Sequence, residues 1–153
     1  MTADEWIERL GLEPHPEGGF YRETYRASGK TDQDRAVSTA IYFLLRSQDV
    51  SHFHRIDADE MWHFYAGSSL TVHRLSEDRG YEAMKVGRGD FQAVVPAGEW
   101  FAATVDAPDS FALVGCTVAP GSEFERFELA SKARLLAKWP KQGALIDQLC
   151  LLP

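Results

Sequence analysis

Residues 51–67 read Ser51-His52-Phe53-His54-Arg55-Ile56-Asp57-Ala58-Asp59-Glu60-Met61-Trp62-His63-Phe64-Tyr65-Ala66-Gly67. Residues two apart on a β-strand point to one face, so His52 and His54 are predicted to project side by side. A turn over residues 56–59 would bring Glu60 back on a neighbouring strand. Two imidazoles and one carboxylate form a ligand set suited to a divalent transition metal. The alternative is that the histidines fill a hydrogen-bonded interior.

The sequence around this stretch is typical of an all-β fold. Short apolar or alternating runs are separated by turn signals, which favours a sandwich or barrel. The predicted strands are Phe20–Tyr25, Ala40–Leu45, Leu70–Leu75, Ala93–Val95, Phe101–Val105 and Phe111–Cys116. A capping-box pattern at Thr2 to Glu5 predicts a short N-terminal helix, and residues 131–139 and 142–150 read as two closing helices. Residues 1–153 contain no linker, so they are predicted to form a single domain.

Composition narrows the classes of function. The chain has 153 residues, enough for one domain with a core, and a net charge of −7. No basic run is present, which argues against a nucleic-acid partner. No apolar run approaches the length of about 18 residues that a membrane span needs. The N-terminus lacks a signal pattern, and Cys116 and Cys150 are read as free thiols, so the predicted location is the cytoplasm.

Two sequence blocks carry a family resemblance. The first is His52-x-His54 with Glu60 and Gly67, and the second is Gly89 followed by Pro96-Ala97-Gly98. Together they resemble the two motifs of the cupin superfamily, which implies a small antiparallel jelly-roll barrel open at one end. Two further segments, residues 15–26 and 59–67, resemble signatures of the small single-domain cupin_5 family. That resemblance implies a fold, a pocket and a homodimer, but no established reaction.

The resemblance is incomplete at the metal site. The cupin pattern places a third histidine where this chain has Phe101, and a hydrocarbon ring cannot bind a cation. The implied ligands are therefore at most His52, His54 and Glu60. This set still matches a two-histidine, one-carboxylate site. The cofactor is predicted to be either none or one divalent Fe, Mn, Ni or Zn ion.

Strand parity predicts the walls of the pocket. Glu60, Trp62 and Phe64 share one face of a strand, and Phe101 would enter from the facing strand. These aromatic rings either contact a small ligand or simply fill the barrel. Arg22, if it points inward, is a candidate anion clamp for a carboxylate or phosphate, and the alternative is a structural ion pair.

Three functions remain open for this pocket. The first is epimerase- or isomerase-like acid–base chemistry on a small polar molecule, sugar-like or bearing a carboxylate or phosphate. His54 or His52 would be its base, and Tyr42 or Tyr25 its acid. Tyr25 is also a candidate ligand contact. The second is a non-catalytic module that binds such a ligand. The third is a metal-dependent oxygenase or isomerase using the two histidines and Glu60.

Overall fold

The computed structural model describes all residues from Met1 to Pro153 as eleven β-strands and three α-helices. The strands are β1 Glu13–Pro14, β2 Phe20–Arg26, β3 Thr39–Arg46, β4 Ser51–Arg55, β5 Asp59–Gly67, β6 Leu70–Ser76, β7 Gly80–Val86, β8 Gln92–Val95, β9 Trp100–Val105, β10 Phe111–Ala119 and β11 Glu128–Leu129. The helices are α1 Ala3–Leu10, α2 Lys132–Lys138 and α3 Gly143–Leu149, with short 3-10 turns at Phe124–Arg126 and Pro140–Gln142.

The strands form two antiparallel sheets that face each other. One sheet has the order β1-β2-β3-β10-β5-β8, and the other has the order β11-β4-β9-β6-β7. Successive residues of β3 point to opposite faces of the first sheet. Phe43 and Leu45 point between the sheets, and Leu44 points to the outer face. The all-β jelly-roll prediction, with one N-terminal helix and two C-terminal helices, is confirmed.

The helices cover the outer faces of the barrel. Helix α1 begins at a capping box between Thr2 and Glu5 and ends at Gly11, which has a φ of 64°. Its apolar side, including Trp6 and Leu10, packs near Leu44. Helices α2 and α3 pack over the outer face of the second sheet. None of the three helices combines the length and the apolar character that a membrane crossing requires.

Both cysteines are free thiols, as the sequence predicted, and both are buried. Cys116 lies in the core between the sheets. Cys150 packs with the closing helices. Burial raises the pKa of both thiols, and that of Cys150 reaches about 11. Since the thiolate is the reactive form, neither cysteine has the character of a nucleophile.

Candidate functional site

A cavity of about 80 Å³ lies at the end of the barrel where β5 begins and β10 ends. Its titratable lining residues are His15, Glu17, Tyr21, Glu23, Arg26, His54, Glu60 and Cys116. Its apolar lining residues are Ile41, Ile56, Val118, Phe124 and Phe127. A water molecule occupies about 30 Å³ in the liquid, so the enclosed space fits a group of a few non-hydrogen atoms.

A buried histidine–carboxylate pair forms the deep wall of the cavity. His54 Nε2 lies 2.7 Å from Glu17 Oε2, and both side chains are less than one-tenth exposed. His54 Nδ1 lies 2.8 Å from the carbonyl oxygen of His52. Because a carbonyl can only accept, Nδ1 must carry a hydrogen. A single remaining proton is then held between Nε2 and Glu17, and the pair is neutral overall.

The pKa values of this pair move apart. Burial opposes the charged form of Glu17, but the attraction of His54 outweighs it and lowers the Glu17 pKa. Burial also opposes the imidazolium form of His54, but the attraction of Glu17 outweighs it and raises the His54 pKa. Near neutral pH the pair is therefore an imidazolium beside a carboxylate.

Glu60 faces the same cavity without a counter-charge. The residue is 9% exposed, and it takes part in no ion pair. Burial raises its pKa to about 7; His54 and a hydrogen bond from the Cys116 thiol lower the value, and the nearby Glu17 raises it. Glu60 therefore exists in both protonation states near neutrality. His54 and Glu60 thus line one cavity, whereas Trp62 does not line it.

His15 lies beside the pair as a neutral imidazole. The backbone N–H of Glu17 donates to His15 Nδ1 at 3.1 Å, so the ring proton resides on Nε2. Burial lowers the His15 pKa, which agrees with the neutral form. The ring meets Tyr21 edge-on with centroids 4.5 Å apart.

The segment 121–127 covers the cavity with two phenylalanines. Phe127 stacks on the His54 ring at a centroid distance of 5.1 Å, and Phe124 is 59% exposed at the mouth. Polar contacts hold the segment against the barrel. Arg35 Nε donates to the Gly121 carbonyl at 2.6 Å, and Arg126 pairs with Asp57 at 2.9 Å.

His52 does not line the cavity, so its predicted roles as a base and as a metal ligand are wrong. Its Nδ1 lies 2.7 Å from the Glu17 carbonyl oxygen, which also accepts the His52 backbone N–H at 2.9 Å. A register shift in β4 between Ser51 and His54 breaks the strict alternation that the prediction assumed. Gly18 permits this close approach, because a Cβ there would collide with the Val50 carbonyl oxygen.

The predicted metal ligands therefore do not fit a metal. His52 bonds to the backbone outside the cavity, and both ring nitrogens of His54 are engaged. Phe101 occupies the expected position of the missing ligand, with its ring 4.1 Å from that of His54. No three His, Cys, Asp or Glu side chains of the protein are arranged to hold a metal ion.

Three predicted pocket residues lie on the outer face of the first sheet instead. Tyr42 packs edge-on against Tyr65 at 6.1 Å, and the Arg22 guanidinium lies 5.9 Å from the Tyr42 ring. Tyr25 is 57% exposed and pairs with the outward Ala40. The predictions of Tyr42 or Tyr25 as the acid, Tyr25 as a ligand contact and Arg22 as an anion clamp are therefore wrong. Strand parity explains this, because Tyr21 and Glu23 take the inward positions of β2.

The predicted aromatic residues fill the barrel beneath the cavity. Trp62 is 2% exposed and meets Phe43 and Phe101 edge-on at 6.0 Å and 6.3 Å. Phe64 packs at the border of the same cluster. Trp62 shares the inward face of β5 with Glu60, as parity predicted, but Trp62, Phe64 and Phe101 are absent from the cavity lining. Their assignment as ligand contacts is therefore corrected to core packing.

Three residues of the cavity, Glu17, His15 and Arg26, were not predicted as site residues. Glu17 and His15 lie in His15-Pro16-Glu17-Gly18-Gly19, where two titratable residues stand among turn formers. That local pattern is the signal that could have identified them, since polar residues in a tight, rigid loop are candidates for function. Arg26 enters the mouth because the register shifts between Glu23 and Tyr25, which places it beside Thr39.

Comparisons with known proteins agree on the fold. A crystal structure of a Shewanella oneidensis protein superposes with a TM-score of 0.92 at 42% identity, covering 100% of this chain and 99% of that one. A hypothetical protein from Leishmania major gives 0.90 at 36% identity, covering 98% and 99%. None of the curated proteins matches the chain.

A more distant likeness concerns the fold alone. Oxalate decarboxylase from Bacillus subtilis superposes with a TM-score of 0.60 at 17% identity, and the match covers 92% of this chain and 37% of the enzyme. The family model described as Cupin superfamily (DUF985), Cupin_5, matches residues 4–130. The chain matches this family model over most of its length, and two structures superpose on it over almost their full length. The chain therefore belongs to the Cupin_5 family of the cupin superfamily.

Proposed function

We propose that the protein binds a small polar molecule in the barrel cavity and transfers protons on it, as an epimerase or isomerase does. One observation carries this proposal: the buried His54–Glu17 pair lies on the same cavity as the unpaired Glu60. Acid–base catalysis requires one group that can donate a proton and another that can accept one. The His54–Glu17 pair holds a proton, and the carboxyl group of Glu60 can accept one.

The roles of the residues differ from those predicted from the sequence. His54 has no free ring nitrogen, so it is not a lone base; with Glu17 it stores one proton beside the cavity. Glu60 is the group free to accept a proton from a carbon next to a carbonyl, and its pKa of about 7 suits this at neutral pH. An isomerisation returns that proton to the substrate, so the protein ends with the protons with which it began.

Deuterium incorporation tests the proposal. Small ketones and aldehydes, with and without amino substituents, are incubated with the protein in D₂O and followed by proton NMR. We expect exchange next to the carbonyl in at least one compound and a loss of roughly a hundredfold in Glu60→Gln, the lower end for general acid–base catalysis. Arg22→Ala, on the outer face, is the matched control and should exchange normally. Equal exchange by Glu60→Gln and the unaltered protein would refute the role of Glu60.

A binding module without catalysis is the second candidate. The observation that favours it is that three histidines hold the backbone: His15 accepts from the Glu17 N–H, His52 bonds the Glu17 carbonyl, and His54 bonds the His52 carbonyl. These hydrogen bonds hold the shape of the pocket, which is a role that a protein without catalytic activity can also use. Saturable binding of a compound with no exchange in any compound of the panel would favour this candidate.

Self-association remains a prediction from the family resemblance. The outer face of the first sheet contains an apolar depression lined by Trp6, Leu10, Tyr42, Tyr65 and Leu113. Tyr65 is 52% exposed there. Sedimentation of the protein, whose monomer has a mass of 17.2 kDa, would reveal whether it forms the expected homodimer.

A further inference from the structure

The charges that face the cavity cancel except at Glu60. Glu17 pairs with His54 at 2.7 Å, and Glu23 at the mouth pairs with Arg26 at 2.7 Å. His15 is neutral because its Nδ1 accepts a backbone N–H. Glu60 has no such ion-pair partner, although the residue is only 9% exposed and lies on the cavity wall.

The walls around this carboxyl group suit a cation. Tyr21, Phe124 and Phe127 line the cavity. Aromatic faces attract ammonium groups, and the attraction grows when water is excluded. The net charge of −7 adds a general attraction for cations over anions.

We propose that the cavity takes the ammonium group of a small primary amine, with Glu60 as its counter-ion. The space of about 80 Å³ accommodates an ammonium group with one or two carbons, and the rest of the molecule would extend past Phe124. This inference rests on the proposed function, for which it names the ligand class. It replaces the anionic ligand expected from the sequence, since Arg22 lies on the outer face.

Titration calorimetry with three molecules of nearly equal size tests the charge preference. The probes are ethanolamine, ethylene glycol and glycolate, which are cationic, neutral and anionic at pH 7.5. We expect ethanolamine to bind at least tenfold more tightly than ethylene glycol, and glycolate to bind no more tightly than ethylene glycol. Absence of ethanolamine binding, or preference for glycolate, would overturn the proposal.

Three variants test whether Glu60 is the group that binds the amine. Glu60→Gln should weaken ethanolamine binding at least tenfold and leave ethylene glycol nearly unchanged, whereas Arg22→Ala should alter neither. Circular dichroism confirms folding, and Glu60→Asp, which keeps the charge, should retain more of the ethanolamine preference than Glu60→Gln. Unchanged ethanolamine affinity in Glu60→Gln would place the amine elsewhere and overturn the assignment.

The outcome is separable from that of the proton-transfer proposal. Ethanolamine binding that depends on Glu60, with no deuterium exchange in any compound, would retain the amine site and refute catalysis. Deuterium exchange that depends on Glu60, with no preference for ethanolamine over ethylene glycol, would retain catalysis and refute the amine site.

Discussion

Replacing Glu60 with glutamine should raise the free energy of unfolding at pH 8 by about 3 kcal/mol. This energy corresponds to the difference of roughly 2.5 units between the pKa of Glu60 in the folded protein and its pKa in the unfolded chain. The usual pKa of 4.5 applies in the unfolded chain, and burial raises the folded value to about 7. Between these values the folded protein holds more protons than the unfolded chain, so stability falls as pH rises through this window. Glutamine keeps the shape of the protonated carboxyl group and removes this penalty.

Urea unfolding of both proteins at pH 4.5 and pH 8 measures the effect. The gain should fall to about 0.4 kcal/mol at pH 4.5, because Glu60 is then protonated in the folded protein and half protonated in the unfolded chain. Glu8→Gln is the matched control: Glu8 is exposed and takes part in no ion pair, so the same substitution should change stability little at either pH. A gain of equal size at both pH values would show that packing, not the buried charge, is responsible.

The barrel could be predicted because its signals are local. Alternating residues and turn formers marked six strands, and the capping box at Thr2 marked α1. Strand β7, Gly80–Val86, was not predicted. It pairs only with β6 at the edge of its sheet, and Val86 is its only fully buried residue, so its apolar pattern is weak. Parity placed Glu60 and Trp62 correctly because β5 runs without a break through this region.

The candidate site was harder to predict because it depends on breaks in the strands. The register shift in β4 separates His52 from His54, yet residues 51–55 contain no glycine or proline to mark it. A second shift in β2 brings Arg26 to the mouth and leaves Tyr25 outside. Glu17 reaches His54 because the loop around Gly18 lies against Val50, a contact between segments more than thirty residues apart. Such long-range packing leaves no periodic trace in the sequence.

Replacing Glu17 with glutamine should lower the free energy of unfolding at pH 6 by about 3–5 kcal/mol, the usual cost of breaking a buried ion pair. His54, whose side chain is 4% exposed, would lose its ion-pair partner and keep only the weaker attraction of Glu60. The contribution of Glu17, whose pKa is lowered, is lost as pH falls through its folded pKa. That of His54, whose pKa is raised, is lost as pH rises through its own. The loss should therefore be largest in the interval between the two folded pKa values, which contains pH 4.5 to 6.5.

Urea unfolding at pH 6 measures this loss, and NMR of the His54 ring follows its titration. The His54 pKa should fall in Glu17→Gln, because burial still opposes the imidazolium once its partner carboxylate is gone. Glu23→Gln is the matched control: its pair with Arg26 lies at the same cavity but is about two-fifths exposed, so its loss should cost below about 1 kcal/mol. If Glu17→Gln costs no more than Glu23→Gln and leaves the His54 titration unchanged, the two side chains do not form a pair in solution. The proton store on which the proposed chemistry depends would then be absent.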